Sequence, residues 1–153
     1  MKNTIRCIFL YTNEINLGGG HMSKVIKCLV IVYDDYNNVL IAERGKGKKD
    51  SPKLWGLFGR NLRGKENGET CATKVIDKDL SCTIFDLALF KEYPMESEID
   101  GCLQVFTGRI REMVSLHKEI NKVKWISFRE IENYEFRENE KEIILDFFNS
   151  IKK

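Results

Sequence analysis

Basic residues and glycines form a loop that could contact phosphate. The basic residues of this segment are Arg44, Lys46, Lys48, Lys49 and Lys53, and Gly45 and Gly47 lie between them. Cationic side chains and exposed backbone amides are the groups that bind phosphate in many proteins. The glycines do not form the G-x-x-x-x-G-K-S/T pattern of a P-loop. The segment is therefore interpreted as a phosphate contact or, alternatively, as a solvated charged loop.

Three further features could carry chemistry, and each has a structural alternative. His117 and Glu119 are two residues apart and could share a metal ion, or they could be surface residues. Trp55 and Trp125 could stack on a nucleobase, but both lie in apolar segments where tryptophan often packs in a core. His21 follows three glycines and is interpreted as a linker residue.

The five cysteines are predicted to be reduced and mostly buried. They contain no C-x-x-C pair, which argues against a zinc site, and they are Cys7, Cys28, Cys71, Cys82 and Cys102. Cysteine in an apolar segment behaves as a small hydrophobic residue. Reduced thiols predict a cytoplasmic location. No apolar run approaches the roughly 18 residues that a membrane helix needs.

The segments that would position these residues alternate between strand and helix from Lys24 onward. Residues 25–33 and 39–42 are rich in β-branched and apolar side chains and are separated by turn residues, so a hairpin is predicted. An apolar segment with glycines follows at 54–59. Residues 83–90, 102–110 and 122–126 are predicted to be further strands of a mixed sheet.

Two helices are predicted between and after these strands. Apolar residues recur at helical spacing in the first helix, for which Thr70 is a plausible cap, and they are Ala72, Val75, Ile76 and Leu80. Ser127 and Glu130 have capping-box spacing. The closing helix presents one apolar face, made of Ile143, Ile144, Phe147, Phe148 and Ile151.

Length and composition predict one globular domain. The chain has 153 residues, of which 42% are hydrophobic and 31% charged, with a formal net charge of +2. This charge gives no indication of specific nucleic-acid or membrane binding. Residues 1–21 are polar and end in a glycine run, so we interpret them as an N-terminal extension and Met22 as a candidate natural start. The alternative is an ordered extra strand with a glycine linker. The domain itself is predicted to span 22–153.

Four short strings occur in a characteristic order within this domain. They are V-L-I-A-E-R ending at Arg44, W-G-L-F-G at 55–59, G-E-T at 68–70 and E-I-N-K-V-K-W-I-S at 119–127. Their order and spacing resemble the Nudix (nucleoside diphosphate linked to X) hydrolase family, in which W-x-L-P-G, G-E-T and E-x-x-x-V-x-W are the corresponding strings. The resemblance implies an α+β fold of the α/β/α sandwich type, with a mixed sheet flanked by helices.

The resemblance also implies a metal-dependent catalytic site. Family members hold Mg²⁺ or Mn²⁺ with carboxylates on one helix and cleave a diphosphate with water. By position, Asp79 and Glu69 would be the remnant catalytic residues, and Asp79 and Glu119 the metal ligands. The residues that would bind substrate are Arg44, Trp55, Gly59 and Lys48.

The helical motif departs from the family pattern G-x5-E-x7-R-E-U-x-E-E-x-G-U, in which U is aliphatic. The preceding W-x-L-P-G segment departs as well, because Phe58 replaces its proline and Arg60 replaces the second glycine that the family has there. Without a gap, Ser81 and Cys82 occupy the positions of the paired glutamates. A shift of one residue aligns 78–80 with R-E-U but leaves Cys82 and Thr83 at those positions. The glutamate pair is absent from both registers.

Three functions remain open from the sequence. The first is a cleft for a nucleotide or phosphorylated small molecule, with metal-dependent pyrophosphohydrolysis weakened or lost. The second is an active hydrolase of a nucleoside diphosphate derivative with a non-standard metal site. The third is a non-catalytic scaffold for protein interaction. The first predicts ligand binding without turnover, the second predicts metal-dependent release of phosphate, and the third predicts neither.

Overall fold

The computed structural model describes residues 24–45, 53–95, 99–137 and 139–152. The predicted extension at 1–21 and the predicted phosphate contact Lys48 lie outside these ranges. Within them, no helix is both long enough and apolar enough to cross a membrane.

The described part of the chain contains seven strands, two α-helices and one 3-10 helix. In chain order they are β1 (Lys24–Val32), β2 (Val39–Arg44), β3 (Trp55–Gly56), β4 (Phe58–Asn61), α1 (Gly68–Leu80), β5 (Phe85–Pro94), β6 (Gly101–Arg109), β7 (Ile120–Ile126), a 3-10 helix (Phe128–Asn133) and α2 (Glu140–Ser150).

The strands form two sheets. The larger sheet has the order β4-β1-β6-β5, in which β1 and β6 are parallel and the other neighbours are antiparallel. The smaller sheet is antiparallel and has the order β3-β2-β7. The mixed sheet flanked by helices that the sequence predicts is therefore confirmed.

The predicted hairpin between β1 and β2 is wrong, because the two strands belong to different sheets. A single bridge between Tyr33 and Val39 connects their ends. The Asp34 Oδ1 atom accepts hydrogen bonds from the backbone N–H groups of Tyr36 at 2.9 Å and Asn38 at 2.8 Å. This side chain organises a turn from which the strands diverge, and they find their partners elsewhere in the chain.

Both faces of the larger sheet are covered, each by one helix. Cys28 and Val30 of β1 belong to the core under α1, while Leu29 and Ile31 belong to the core under α2. Alternate residues of a strand point to opposite faces, so a strand covered on both sides is apolar throughout. This explains the continuous apolar run in β1 and makes the domain a three-layer sandwich.

The caps determine which residues belong to each helix. Asn67, rather than the predicted Thr70, caps α1, because its Oδ1 atom accepts a hydrogen bond from the Thr70 N–H at 2.8 Å. α1 ends at Leu80, and Ser81 then adopts a left-handed conformation. The predicted capping box of Ser127 and Glu130 is confirmed. The predicted apolar face of α2 is buried except for Ile151, which lies beyond the end of the helix.

Candidate functional site

The last turn of α1 carries a buried carboxylate that is paired with an arginine. Asp79 is 7% exposed, and its Oδ2 atom accepts a hydrogen bond of 2.6 Å from Nη2 of Arg44. Arg44 is the final residue of β2, and its side chain is 22% exposed. The structure thus brings together two of the predicted site residues, one from the sheet and one from the helix.

A segment before β7 covers this end of α1. The Ser115 N–H donates to the Leu80 carbonyl at 2.8 Å, and the His117 N–H donates to the Asp79 carbonyl at 3.0 Å. Carbonyl groups at a helix C-terminus have no partner within the helix, so these bonds satisfy the last carbonyl groups of α1. The sequence carries no signal for this role, because backbone donors leave no side-chain signature.

The structure does not bring Glu69 and Asp79 together. Glu69 is exposed in the first turn of α1 and Asp79 lies ten residues later in its last turn. At a rise of 1.5 Å per residue the two positions are about 15 Å apart along the axis. Asp77 is exposed on the opposite face from Asp79, as its spacing predicts. A single metal ion therefore cannot be shared by Glu69 and Asp79.

The residues at the family's glutamate positions lie outside α1. Cys82 is buried in the core, and its Sγ atom lies near three backbone carbonyls, those of Leu80, Glu112 and Met113. Burial raises the pKa of the Cys82 thiol, which disfavours the thiolate that binds metals. Thr83 is exposed, and its N–H donates to Glu112. Neither residue extends the Asp79 site.

Glu119 does not complete a metal site either. Its carboxylate is 66% exposed, and its Oε2 atom is 4.0 Å from Nδ1 of His117. Within the ranges that the structure describes, no three His, Cys, Asp or Glu side chains are arranged to hold a metal ion. Mg²⁺ prefers about six oxygen ligands, whereas the one carboxylate at this site already binds a guanidinium group. The described residues do not fit a resident divalent metal.

Two other predicted substrate-binding residues, Trp55 and Gly59, contribute to packing within the domain. Trp55 is 8% exposed, and its ring packs edge-on against Tyr134 with 5.1 Å between ring centroids. At Gly59, a Cβ atom would lie 2.2 Å from the Cys28 carbonyl oxygen, so this glycine permits β1 and β4 to pair closely. Protein atoms thus cover the tryptophan ring, and the absence of a side chain at Gly59 serves strand packing.

Arg44 retains most of its hydrogen-bonding capacity. A guanidinium group has five N–H donors. Among the described residues, the Arg44 side chain makes one hydrogen bond, the bond to Asp79. Lys53, where the described chain resumes after the basic loop, is exposed. The site can therefore offer positive charge and free donors to an anion.

The fold is similar to solved structures of MutT proteins and Nudix hydrolases. A MutT protein described for Aliivibrio salmonicida and Vibrio cholerae superposes with a TM-score of 0.70 at 13% identity, covering 84% of this chain and all of that one. MutT of Methanosarcina mazei gives 0.64 at 16% identity, with 88% and 100% covered. A Nudix hydrolase of Nitrosomonas europaea gives 0.64 at 14% identity, with 87% and 74% covered.

Comparison of the sequence, by contrast, finds no match. No protein-family model matches the chain, and no curated protein sequence matches it. The structural neighbours show that the chain has the Nudix fold, as the resemblance of its short strings implies, although its sequence is only 13%, 16% and 14% identical to theirs.

Proposed function

We propose that this Nudix-fold chain binds a nucleotide or another phosphorylated small molecule beside Arg44 and does not hydrolyse it by a metal-dependent route. The observation that carries the proposal is the 2.6 Å ion pair between Arg44 and Asp79. In that pair the guanidinium group lies against the carboxylate that a metal ion would need.

The loss of metal chemistry follows from the competition for Asp79. A divalent cation would have to displace Arg44, and it would then find one protein carboxylate, so its other oxygen ligands would have to come from water or from the substrate. Displacing Arg44 would also cost its charge-assisted hydrogen bond to Asp79. Because α1 ends at Leu80, a further turn of helix that could carry more carboxylates is missing.

The binding of a phosphorylated ligand is supported by the donors that remain on Arg44. Phosphate oxygens accept paired hydrogen bonds from the planar guanidinium fork. Arg44 is partly exposed, and within the described part of the chain it uses one donor, for Asp79, so the other donors could serve a ligand. The structural neighbours are named as MutT proteins and Nudix hydrolases, and the shared fold makes a related cleft the first place to test.

The test measures binding and turnover in the same samples. Thermal unfolding is followed with inorganic pyrophosphate and with nucleoside mono-, di- and triphosphates, each with and without Mg²⁺, and phosphate release is then assayed. A ligand at about 100 times its Kd should stabilise the protein by roughly 2.7 kcal/mol. We expect stabilisation by at least one phosphorylated compound without Mg²⁺, and no release of phosphate.

Variants separate the proposal from its alternatives. Arg44→Lys keeps the charge but loses the fork, so it should weaken binding, while the exposed Glu119→Ala should bind as the wild type does. Arg44→Ala removes the guanidinium group altogether and should abolish binding. It also leaves Asp79 unpaired, so the double variant R44A/D79A serves as the control for a loss of stability. Metal-dependent release that disappears in Asp79→Ala would instead establish the hydrolase. Absence of stabilisation by every compound would favour the interaction scaffold.

A further inference from the structure

Two cysteine side chains from different elements meet in the core under α1. The Sγ atoms of Cys28 in β1 and Cys71 in α1 are 2.8 Å apart, and the Cys28 thiol donates to Cys71. Both residues are fully buried. They are 43 positions apart in the chain, so the contact depends on the fold. The fold has thus brought two sulfur atoms to a separation from which they can react with each other.

The positions of these residues on their elements explain the contact. Cys28 is on the α1-facing side of β1, and Cys71 lies on the buried stripe of α1 next to Ala72. The other two described cysteines have different neighbours. Cys82 lies near backbone carbonyls, and the Sγ atom of Cys102 is 3.8 Å from Oε2 of Glu92. The contact between Cys28 and Cys71 thus joins one sulfur atom to another across two elements of the fold.

We propose that Cys28 and Cys71 are a reversible modification site, at which a hydroperoxide converts the two thiols into a disulfide that joins β1 to α1. The inference is independent of the proposed function at Arg44. It needs an oxidant from outside the protein, and a hydroperoxide would have to reach the buried thiols through local opening of the fold.

The reaction balances in two steps. One thiol loses its proton and attacks the hydroperoxide, whose O–O bond breaks to give a sulfenic acid and, with hydrogen peroxide, one water. The second sulfur, after losing its proton, attacks the sulfenic sulfur, and the hydroxyl group leaves as a second water. Two thiols thus lose two electrons, one peroxide gains them, and one S–S bond forms.

Burial sets the rate and the consequence of this reaction. Desolvation raises the pKa of both thiols, so little thiolate is present and oxidation of the folded protein should be slow. Once formed, the bond would restrict the unfolded chain across a long loop that contains β2, β3 and β4, and restriction of the unfolded state stabilises the folded one. Oxidised protein should therefore melt at a higher temperature.

Peptide mapping of the full chain tests the proposal. Folded protein is treated with hydrogen peroxide, remaining thiols are alkylated in acidic denaturant, and the digest is analysed by mass spectrometry with and without prior reduction. We expect a linked pair of peptides containing Cys28 and Cys71 that has lost two hydrogen atoms and is separated by dithiothreitol. The Tm should rise on oxidation and return on reduction.

Matched variants complete the experiment. Cys102→Ala should form the same cross-link as the wild type, whereas Cys28→Ala should leave Cys71 free to alkylate and abolish the reversible rise in Tm. Should a core variant fail to fold, the wild-type peptide map still decides. The proposal is overturned if treated protein contains no Cys28–Cys71 link, or if links to other cysteines form equally well.

Discussion

Two arginine–carboxylate pairs lie at opposite ends of the two helices and differ in how completely they are bonded. At the N-terminus of α2, Glu140 Oε1 accepts a hydrogen bond of 2.7 Å from the Leu57 N–H, and Arg137 Nη2 donates to the Leu57 carbonyl at 2.8 Å. Arg137 Nε is also 3.3 Å from Glu140 Oε2. The pair therefore holds both backbone groups of one residue between β3 and β4.

The pair at the C-terminus of α1 has no such attachment. The side chains of Arg44 and Asp79 share one hydrogen bond, and among the described residues neither side chain makes another. Both pairs join an arginine to a buried carboxylate, so burial alone does not distinguish them. The α2 pair is a structural clamp that binds both backbone groups of Leu57, whereas the side chains of the α1 pair bind no backbone group among the described residues.

The largest expected effect is at the α2 clamp. Glu140→Ala removes the acceptor of the Leu57 N–H and leaves Arg137 without its carboxylate, so the free energy of unfolding should fall by about 3–5 kcal/mol. Urea denaturation measures this loss. Glu142→Ala, an exposed change in the same helical turn, is the control and should stay within about 0.5 kcal/mol of wild type.

A smaller loss is expected at the α1 pair. Asp79→Asn keeps the shape of the side chain but removes its charge, so one charge-assisted bond is weakened and stability should fall by about 1.5–3 kcal/mol. Arg44 is partly exposed and can turn toward solvent, which limits the damage. Asp77→Asn on the exposed face is the matched control. A loss as large as that of Glu140→Ala would break the comparison, because it would make this pair a structural clamp too.

The smallest effect concerns a third pair and appears only in acid. Hydrogen bonds from the Arg60 side chain and the Arg63 N–H lower the pKa of Glu66 from 4.5 to about 2. Because the folded pKa is the lower one, this stabilisation is present above pH 4.5 and is lost as the pH falls from 4.5 toward 2. Urea midpoints measured across this window should fall less steeply in Glu66→Gln than in wild type. Parallel curves would show that Glu66 contributes nothing to acid sensitivity.

The parts of the fold that the sequence predicts are those encoded by local patterns. The apolar stripe through Val75 and Ile76 predicts α1, and the Ser127–Glu130 spacing predicts the capping box of the 3-10 helix, because both patterns depend on near neighbours. The β1–β2 hairpin was predicted wrongly because sheet membership depends on β6 and β7, which lie far along the chain.

The site could be predicted only residue by residue. Arg44 and Asp79 are each identified by their motif positions, but their ion pair spans 35 residues and has no local signal. The uncertain register of the helical motif has a similar cause. The last carbonyl groups of α1 accept hydrogen bonds from the N–H groups of Ser115 and His117, so the end of the helix is supported by a segment that lies outside the motif.

The parallel pairing of β1 with β6 also determines the order in which the domain can be completed. Val30 lies opposite Phe106, so the central strand gains this neighbour only after the chain has been made through β6. During synthesis β1 has β4 on one side, while its other edge offers unpaired backbone groups and an apolar surface. Non-local parallel pairing is slow to form. Nascent chains that end before residue 101 should therefore be the species most prone to aggregate or to recruit chaperones.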